Sequence, residues 1–304
     1  MSHARFTHRT LSTLIALAAC LAPCTTSAQD PLRTALPPPG DSNTRHIVQL
    51  RDGSTLVGRI TESWGDSARF ESLSGRITLR RADVTSVRTV PSSSIRNGRY
   101  WADDPNATRL FFAPTGRTLA KGEGYYSNHW IFLSDAHVGI TDRFTLGGAM
   151  TMIPSGDFIK NNVYFISPKY AIEQSERLNI AAGAFIGVAP FFDNASSNTF
   201  GIAYGVATWG TPDASLTLGG GYGFAGGRMA ESPMAMLGVT KRLSRGWSFV
   251  SENWLFPNTK RPLVSYGLRS IGERTAWDIG FVTILGEDGI VPGVPWLGIT
   301  WKFR

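Results

Sequence analysis

Apolar and polar residues alternate along the last strand-length segment of the chain, GVPWLGITWKFR. Every second position carries a large apolar side chain: Leu297, Ile299, Trp301 and Phe303. A period of two places these side chains on one face of a β-strand and the intervening positions on the other. A soluble protein would have to bury so aromatic a face, so the rest of the chain must indicate what covers it.

The same alternation recurs throughout residues 101–304. In the segments 144–152 and 178–188, large apolar residues alternate with small or polar ones. In the segment 200–207 the expected apolar face consists of Phe200, Ile202, Tyr204 and Val206. One apolar face and one small or polar face are typical of a barrel with lipid outside and a polar interior. The segment 247–256 alternates too poorly for its faces to be assigned.

Short and long connections alternate between these segments. The short connections are 141–143, 173–177, 210–214, 244–246 and 272–275. The long connections are 155–162, 191–198, 226–233, 257–262 and 287–293. The intervening segments have about the 9–11 residues that a tilted strand needs to cross a bilayer. Short turns at one end and long loops at the other are typical of outer-membrane barrels.

Tryptophan residues lie near both ends of these segments. Those near short turns or the chain end are Trp209, Trp247, Trp277 and Trp301, and those near long loops are Trp254 and Trp296. This distribution predicts two aromatic girdles at the two surfaces of a membrane.

Twelve strands are expected in this part of the chain. Eleven lie between residues 124 and 303, and TRLFFAP, Thr108 to Pro114, is interpreted as the twelfth. An even number places both ends of the barrel at the short-turn side. The predicted fold class is therefore all-β, with an antiparallel up-and-down transmembrane β-barrel over residues 105–304, preceded by a small β module.

The small module covers residues 46–90, in which short apolar stretches are separated by turn signals. These signals are Asp52-Gly53, Gly65-Asp66 and Ser74-Gly75. The expected core is Val48, Leu50, Leu56, Val57, Ile60, Phe70, Ile77, Leu79, Val84 and Val87. The pattern resembles SH3-like and Sm-like small β-barrels. Residues 29–45 and 91–104 are expected to be linkers because they are rich in Pro, Gly and Ser.

Residues 1–28 have the pattern of a secretory signal peptide. Basic residues precede the apolar stretch LSTLIALAACLA, and TSA before Gln29 is a small-residue cleavage site. The stretch LAAC also fits a lipoprotein signal in which Cys20 carries the lipid. We favour ordinary cleavage because a barrel needs no second anchor. Since Cys20 and Cys24 are the two cysteines, cleavage leaves no disulfide framework and no cysteine metal site.

The C-terminal strand resembles the assembly signal of Gram-negative outer-membrane β-barrel proteins, in which alternating apolar residues end on an aromatic residue. Leu297, Ile299, Trp301 and Phe303 match this pattern, and Arg304 departs from it by one extra residue. The stretch 105–128 is similar to one that recurs in uncharacterised bacterial barrel proteins. The resemblance implies a location in the cell outer membrane, with the module in the periplasm. It implies outer-membrane lipid and the barrel assembly machinery as partners.

Charged and imidazole side chains fall on the predicted inward faces of the strands. The candidate cluster is His129, Asp135, His137, Lys169, Arg269 and Asp278. Because His129, Asp135 and His137 share parity within one segment, one strand face would present all three. A metal site or an acid–base pair could be built from them, but a solvated barrel interior has the same composition. We predict a lumen network of ion pairs without a metal or cofactor.

The predicted role is non-enzymatic, either a narrow solute channel or a structural anchor for the module. One alternative is a lipid-modifying enzyme, which in some outer-membrane barrels uses a His-x-Ser pair on one strand. Neither His129 nor His137 has that pattern, and Ser127 precedes His129 in the reverse order. The Gly-rich segment 218–227 lacks the strand–loop–helix context of a phosphate loop. Another alternative is a soluble secreted β-rich binding protein.

The charge distribution differs between the two parts of the chain. Residues 41–100 contain ten Arg and six Asp or Glu, whereas residues 101–304 contain 17 basic and 16 acidic side chains. A basic periplasmic module could bind an anionic cell-wall polymer or an envelope protein, although a solvated surface has the same composition. Nucleic acid is not an expected partner because an exported chain meets little of it.

Overall fold

The computed structural model describes residues 36–190, 198–257, 261–286 and 291–303. The predicted signal segment, including Cys20, lies outside these ranges, as does Arg304. The chain divides into two compact units, Met1–Tyr100 and Trp101–Arg304. Within the described ranges, no helix has the length and apolar character needed to cross a membrane.

The first unit contains a five-stranded antiparallel sheet. Its strands are β1 (Thr44–Leu50), β2 (Thr55–Trp64), β3 (Ser67–Ser72), β4 (Gly75–Arg80) and β5 (Val84–Pro91), in the order β4-β3-β2-β1-β5. The predicted turns lie between these strands, and Gly53, Gly65 and Gly75 adopt positive φ there. Residues 95–100 form a separate hairpin of β6 (Ile95–Arg96) and β7 (Arg99–Tyr100). The resemblance to SH3-like barrels stays a prediction.

One side of this sheet covers a small apolar core. The buried residues are Val48, Ile60, Ala68, Phe70, Leu79 and Val84, with Leu36, Leu50, Leu56 and Val87 packed against them. Ile77 was expected in this core, but its side chain is exposed. The prediction was wrong there: Ile77 lies on the edge strand β4, opposite Phe70 of β3 in the register, and its side chain stays outside the core.

The second unit is a closed antiparallel barrel of twelve strands. These are β8 (Gly124–His129), β9 (Leu133–Thr141), β10 (Phe144–Thr151), β11 (Tyr164–Gln174), β12 (Leu178–Val188), β13 (Thr199–Thr211), β14 (Ala214–Ala225), β16 (Met234–Ser244), β17 (Trp247–Leu255), β18 (Leu263–Ile271), β19 (Thr275–Ile284) and β20 (Val294–Phe303). The two-residue strand β15 (Arg228–Met229) extends a loop beyond β14. Pairing of β20 with β8 and of β13 with β14 closes the ring.

The predicted twelve-stranded fold is confirmed, but the predicted twelfth strand is wrong. Thr108–Pro114 does not form part of the wall. The twelfth strand comes instead from residues 124–141, which turn once at residues 130–132 and so form two paired strands, β8 and β9. Trp130 and Ile131 both adopt positive φ, which is uncommon for residues with large side chains. The main-chain N–H of Trp130 donates to Leu297 O at 3.0 Å, so neighbouring strand β20 helps to hold this turn.

The two ends of the barrel differ as the sequence predicts. The connections after β9, β11, β13, β16 and β18 have two or three residues, and we call this the short-turn end. Most connections at the opposite, long-loop end are longer, the exception being residues 130–132. Gly124 pairs with Phe303 at the short-turn end, so the barrel wall begins and finishes there.

The alternating apolar residues of the C-terminal strand face outward, as the sequence predicts. Leu297, Trp301 and Phe303 point out of the barrel and are 52%, 61% and 48% exposed, whereas Trp296 and Thr300 are buried inside. The faces predicted for 144–152 and 178–188 also agree with the structure: Leu146 and Leu178 are exposed, and Thr145 and Asn179 are buried.

Two predictions about the faces were wrong. On β13, Val206 and Thr208 are buried inside the barrel, so the parity of this strand is opposite to the predicted one. Trp254 and Trp296 also lie inside. The reason in both cases is that the interior contains an apolar cluster that these side chains complete. The four tryptophans near the short-turn end do face outward: Trp209, Trp247, Trp277 and Trp301.

Candidate functional site

The interior of the barrel is filled by residues 101–123, which we call the plug. Arg242 fixes its start at the short-turn end, donating to Ala102 O at 2.9 Å and stacking over Trp101. The plug reverses direction between Arg109 and Pro114, which form a β-bridge. It then returns to the short-turn end before β8 begins. The segment predicted as a wall strand is therefore the innermost part of the plug.

Two charged side chains of the wall bind the main chain of the plug. The Lys169 ammonium donates to Thr108 O at 2.9 Å and to Thr115 O at 3.3 Å. The Glu252 carboxylate accepts from the N–H groups of Phe112 and Ala113, both at 2.9 Å. A charge-assisted bond of this kind is stronger than a neutral one. These contacts fix both arms and the tip of the plug.

Two wall threonines and one aspartate in a turn accept hydrogen bonds from the main chain of the returning arm of the plug. Thr208 accepts from Gly116 N at 2.9 Å, and Thr145 accepts from Leu119 N at 3.0 Å. Asp142 accepts from Lys121 N at 2.9 Å near the short-turn end. Buried main-chain groups need such partners. The wall therefore supplies to the plug the hydrogen bonds that a sheet neighbour would otherwise supply.

An ion network joins the plug to strands β18 and β19. The guanidinium of Arg269 contacts Asp278 Oδ1 at 2.6 Å and Asp104 Oδ2 at 3.1 Å, and it donates to Leu110 O at 2.6 Å. Arg109 lies 3.7 Å from the other Asp278 oxygen. Arg269 is only 1% exposed. An isolated buried charge is strongly unfavourable, so each of these groups depends on the others.

The tip of the plug also packs in an apolar cluster. Its buried members are Leu110, Phe111, Ala113, Ala181, Val206, Met236, Val250 and Trp296. Gly238 on β16 makes room for the tip, because a Cβ there would lie 2.1 Å from Leu110 Cδ1. Glycine in this wall position thus allows close approach of the plug. The interior combines polar anchors with an apolar core.

A smaller polar cluster lies beside the plug on β8 and β9. His129 Nε2 is 2.8 Å from Asp135 Oδ2, and His137 Nε2 is 3.3 Å from Asp135 Oδ1. The ring of His137 stacks on Tyr125 with centroids 4.9 Å apart. The structure brings these three predicted residues together from two adjacent strands rather than from one. Within the described ranges, no group of three His, Cys, Asp or Glu side chains has an arrangement suited to a metal ion.

The six predicted lumen residues all lie on inward-facing positions. Lys169, Arg269 and Asp278 contact the plug, while His129, Asp135 and His137 form the neighbouring cluster. Lys302 on β20 pairs with Glu123 at 2.9 Å.

Sequence reasoning missed Asp104, Arg109 and Glu252. Two of these belong to the segment that was taken for a linker or a wall strand. Glu252 lies on β17, where poor alternation prevented a prediction. A charged residue in the middle of a strand that crosses a membrane is a signal that could have identified it.

Small cavities lie inside the barrel beside the plug. A cavity of about 40 Å³ lies beside the plug, and its lining includes Arg109, Asp135, His137, Ser167 and Lys169. A second cavity of about 20 Å³ lies near Pro114 and Met236. A cavity of this size holds one or a few water molecules.

The motifs that were considered for catalysis have other partners. Ser127 Oγ is bonded to Thr300 Oγ1 at 2.8 Å and to Arg109, whereas His129 Nε2 is bonded to Asp135. The Gly-rich segment is the wall strand β14, followed by a loop and not by a helix. Neither geometry places a base against a nucleophile or builds a phosphate loop.

Comparisons with known proteins do not identify a family. No family model matches the chain, and no curated protein matches it in sequence. Among solved structures, the chain is similar to the KdgM porin, with 11% identity and a TM-score of 0.45 over 60% of this chain and 99% of that one. It is also similar to the NanC porin, with 11% identity and a TM-score of 0.37 over 59% of this chain and 97% of that one. The similarity to OccK11 of Pseudomonas aeruginosa has 11% identity and a TM-score of 0.33 over 86% of this chain and 93% of that one. Similarity at this level assigns no activity to this chain.

Proposed function

We propose that this protein is an outer-membrane β-barrel that is closed by its own plug and anchors the small N-terminal module. The observation that carries the proposal is that wall side chains bind residues 101–123 inside the barrel from both arms and the tip. The proposed role is structural and non-enzymatic.

The outward face supports a membrane location. Large apolar side chains cover mid-strand positions around the ring, including Ile166, Leu218, Leu237 and Ile279, all of which are exposed. A contiguous apolar exterior of this kind is unfavourable in water but suits lipid, and the closed ring satisfies the main-chain hydrogen bonds of the wall. The row of outward tryptophans at the short-turn end fits a membrane–water interface.

Fractionation of cells, followed by electrophoresis with and without boiling, tests this location. We expect recovery in the outer membrane and a heat-dependent shift in mobility, because a folded barrel resists detergent until it is heated. Recovery as a soluble periplasmic protein without a shift would contradict the proposal.

The closed state follows from how the plug is held. Its tip lies in an apolar cluster, its main chain is bonded to Lys169 and Glu252, and the cavities beside it measure about 40 and 20 Å³. Water-filled passage of a solute would require removal of this segment. We therefore favour the anchor over the narrow channel.

Conductance in planar bilayers distinguishes these two roles. We expect the full-length wild-type protein to produce no steady current. Glu252→Ala removes the acceptor of two plug N–H groups, and Glu176→Ala on an exposed turn serves as the matched control. Steady wild-type conductance would overturn the closed state. Openings confined to Glu252→Ala would mean that the plug seals a channel, whereas silence of all three proteins would support a fixed anchor.

The proposed arrangement places the module in the periplasm, because the plug connects to the barrel at the short-turn end, the periplasmic side of such barrels. The five-stranded antiparallel sheet of the module is compatible with an SH3-like fold. Its excess of arginine supports an anionic cell-wall polymer or an acidic envelope protein as partner. Co-sedimentation of the full-length protein with isolated cell-wall polymer tests the first of these, with binding that weakens as salt increases.

A further inference from the structure

Among the described residues, Lys169 is a buried cation inside the barrel without a charged partner. The Lys169 side chain on β11 is 6% exposed, and within the described residues it forms no ion pair with a carboxylate. Its two acceptors are the carbonyl oxygens of Thr108 and Thr115. An ammonium has three N–H donors, so one donor is left over.

The surroundings of Lys169 add positive charge rather than neutralising it. Arg117 on the plug repels the ammonium, and it donates its own hydrogen bond to Gly210 O. Arg109 lines the same cavity as Lys169, but its charge is paired with Asp278. A buried cation that has another cation nearby and no carboxylate partner requires a counter-charge if it is to remain ionised.

The carboxylate in the cavity lining does not provide this counter-charge. Asp135 also lines the cavity, but its two oxygens face His129 and His137 at 2.8 and 3.3 Å. Asp135 on β9 pairs with Ala149 on β10, and Ala149 pairs with Phe165 on β11. Phe165 lies four residues along β11 from Lys169. Asp135 therefore lies at a different level of the barrel.

The cavity beside Lys169 has room for a small anion, and its mixed lining includes cationic and hydroxyl-bearing residues. The cavity of about 40 Å³ can hold one or a few water-sized particles. The hydroxyl groups of Ser167 and Thr145 line it together with Lys169 and Arg109. Thr145 Oγ1 already accepts from Leu119 N, so its hydroxyl hydrogen can donate to a bound group.

We propose that this cavity binds one small monovalent anion, a halide such as chloride, beside Lys169. The anion takes the third donor of the ammonium and a hydroxyl hydrogen of Thr145 or Ser167, and it balances the buried positive charge. This site does not depend on the proposed anchor role, since it requires only the folded barrel with its plug.

Bromide replaces chloride and is located by its anomalous scattering. Crystals of the full-length protein grown in sodium bromide are expected to show an anomalous peak within contact distance of Lys169 Nζ. In Lys169→Met, which keeps the length of the side chain and removes its charge, we expect this peak to be absent. A wild-type map with water at this position and no anomalous signal would overturn the proposal, as would a peak that persists in Lys169→Met.

Thermal unfolding in detergent provides a second measurement that does not need the variant to crystallise. At equal ionic strength, we expect the midpoint of the heat-dependent mobility shift to be a few degrees higher in sodium chloride than in sodium gluconate. Lys302→Met, which removes a lysine paired with Glu123, is the matched control and should keep this difference. Lys169→Met should lose it. If Lys169→Met does not fold, Ser167→Ala tests the site by a reduced halide effect, and an unchanged effect in Ser167→Ala together with no anomalous peak rejects the site.

Discussion

The two units of this chain use the same alternation of side chains in opposite directions. In the module, the buried side of the sheet carries Phe70 and Ile60, and most charged residues are at the surface. In the barrel, exposed leucine, isoleucine and tryptophan cover the outside, while Arg269, Asp278 and Lys169 are buried inside. A period of two is therefore not sufficient to show which face of a strand is the core.

The barrel has an inside-out arrangement, with polar residues inside and apolar residues outside, and one exception at the tip of the plug. Its charged interior is stabilised by the plug, which brings main-chain donors and acceptors to the wall. At the tip of the plug the interior is apolar and resembles an ordinary core. The barrel thus has two kinds of interior, and the module has one.

The largest expected effect is the loss of the central cation of the barrel network. Arg269→Met leaves Asp278 and Asp104 without their main partner, and breaking such a buried group costs about 3–5 kcal/mol. We expect a lower midpoint of heat-dependent mobility. Arg274→Met, on an exposed turn, is the matched control and should leave the midpoint unchanged. An equal loss in both variants would mean that the network does not stabilise the barrel.

A loss of comparable size is expected in the module from Phe70→Ala. Removal of a buried aromatic side chain costs about 3–5 kcal/mol. Hydrogen exchange in the full-length protein should increase in β1–β3 while the heat-dependent mobility of the barrel stays the same. A simultaneous loss of the heat-dependent shift in electrophoretic mobility would show that the two units do not unfold separately.

The next largest effect is expected from a charge placed on the outward face of the barrel. Leu218→Arg places a cation in the middle of β14 on the outside, which in lipid costs about 2–4 kcal/mol at the midplane. Leu243→Arg, near the short-turn end of β16, should cost about 0–1 kcal/mol because it lies close to the proposed interface. Denaturant titrations in lipid vesicles measure the difference. Equal costs at the two depths would contradict a lipid-facing exterior.

The smallest expected effect is a pH dependence in the module. Burial lowers the pKa of His46, whose Nδ1 accepts from Ile60 N at 3.1 Å. Above the unfolded pKa of about 6.5, His46 is neutral in both states and its contribution is complete. As the pH falls below 6.5 towards the lower folded pKa, the unfolded state binds more protons and stability falls by at most about 1.4 kcal/mol per pH unit.

Hydrogen exchange of β1 and β2 between pH 7 and pH 5 measures this slope in the full-length protein. His46→Asn retains an acceptor and removes the titration, so it is expected to flatten the dependence near pH 6. The same slope in wild type and His46→Asn would assign the effect to another group.

Much of the wall could be predicted from the sequence, because turns and alternation are local properties. The short connections and the outward row ending at Phe303 were located in this way. The turn at residues 130–132 could not be predicted, since Trp130 and Ile131 do not favour positive φ and contacts to β20 stabilise it. The face of β13 was inverted because Tyr204 and Val206 complete a cluster around the plug.

The candidate site was only partly predictable for the same reason. Lys169, Arg269 and Asp278 could be placed on inward faces by parity, but their partners could not. Asp104 and Leu110 lie more than 150 residues before Arg269 in the chain, and nothing local links them. The segment 108–114 has the composition of a strand, and its place inside the barrel depends on contacts with the wall.

The sequence by itself determined that this chain forms antiparallel strands of alternating character, with short turns at one end and both chain ends of the wall together. Local periodicity and turn chemistry are sufficient for that. Only the tertiary structure decided which residues fill the interior, because the hydrogen-bond partners of the plug lie on wall strands far from it in the chain. Lys169, Glu252 and Arg269 then bind a main chain that no pattern along their own strands could have indicated.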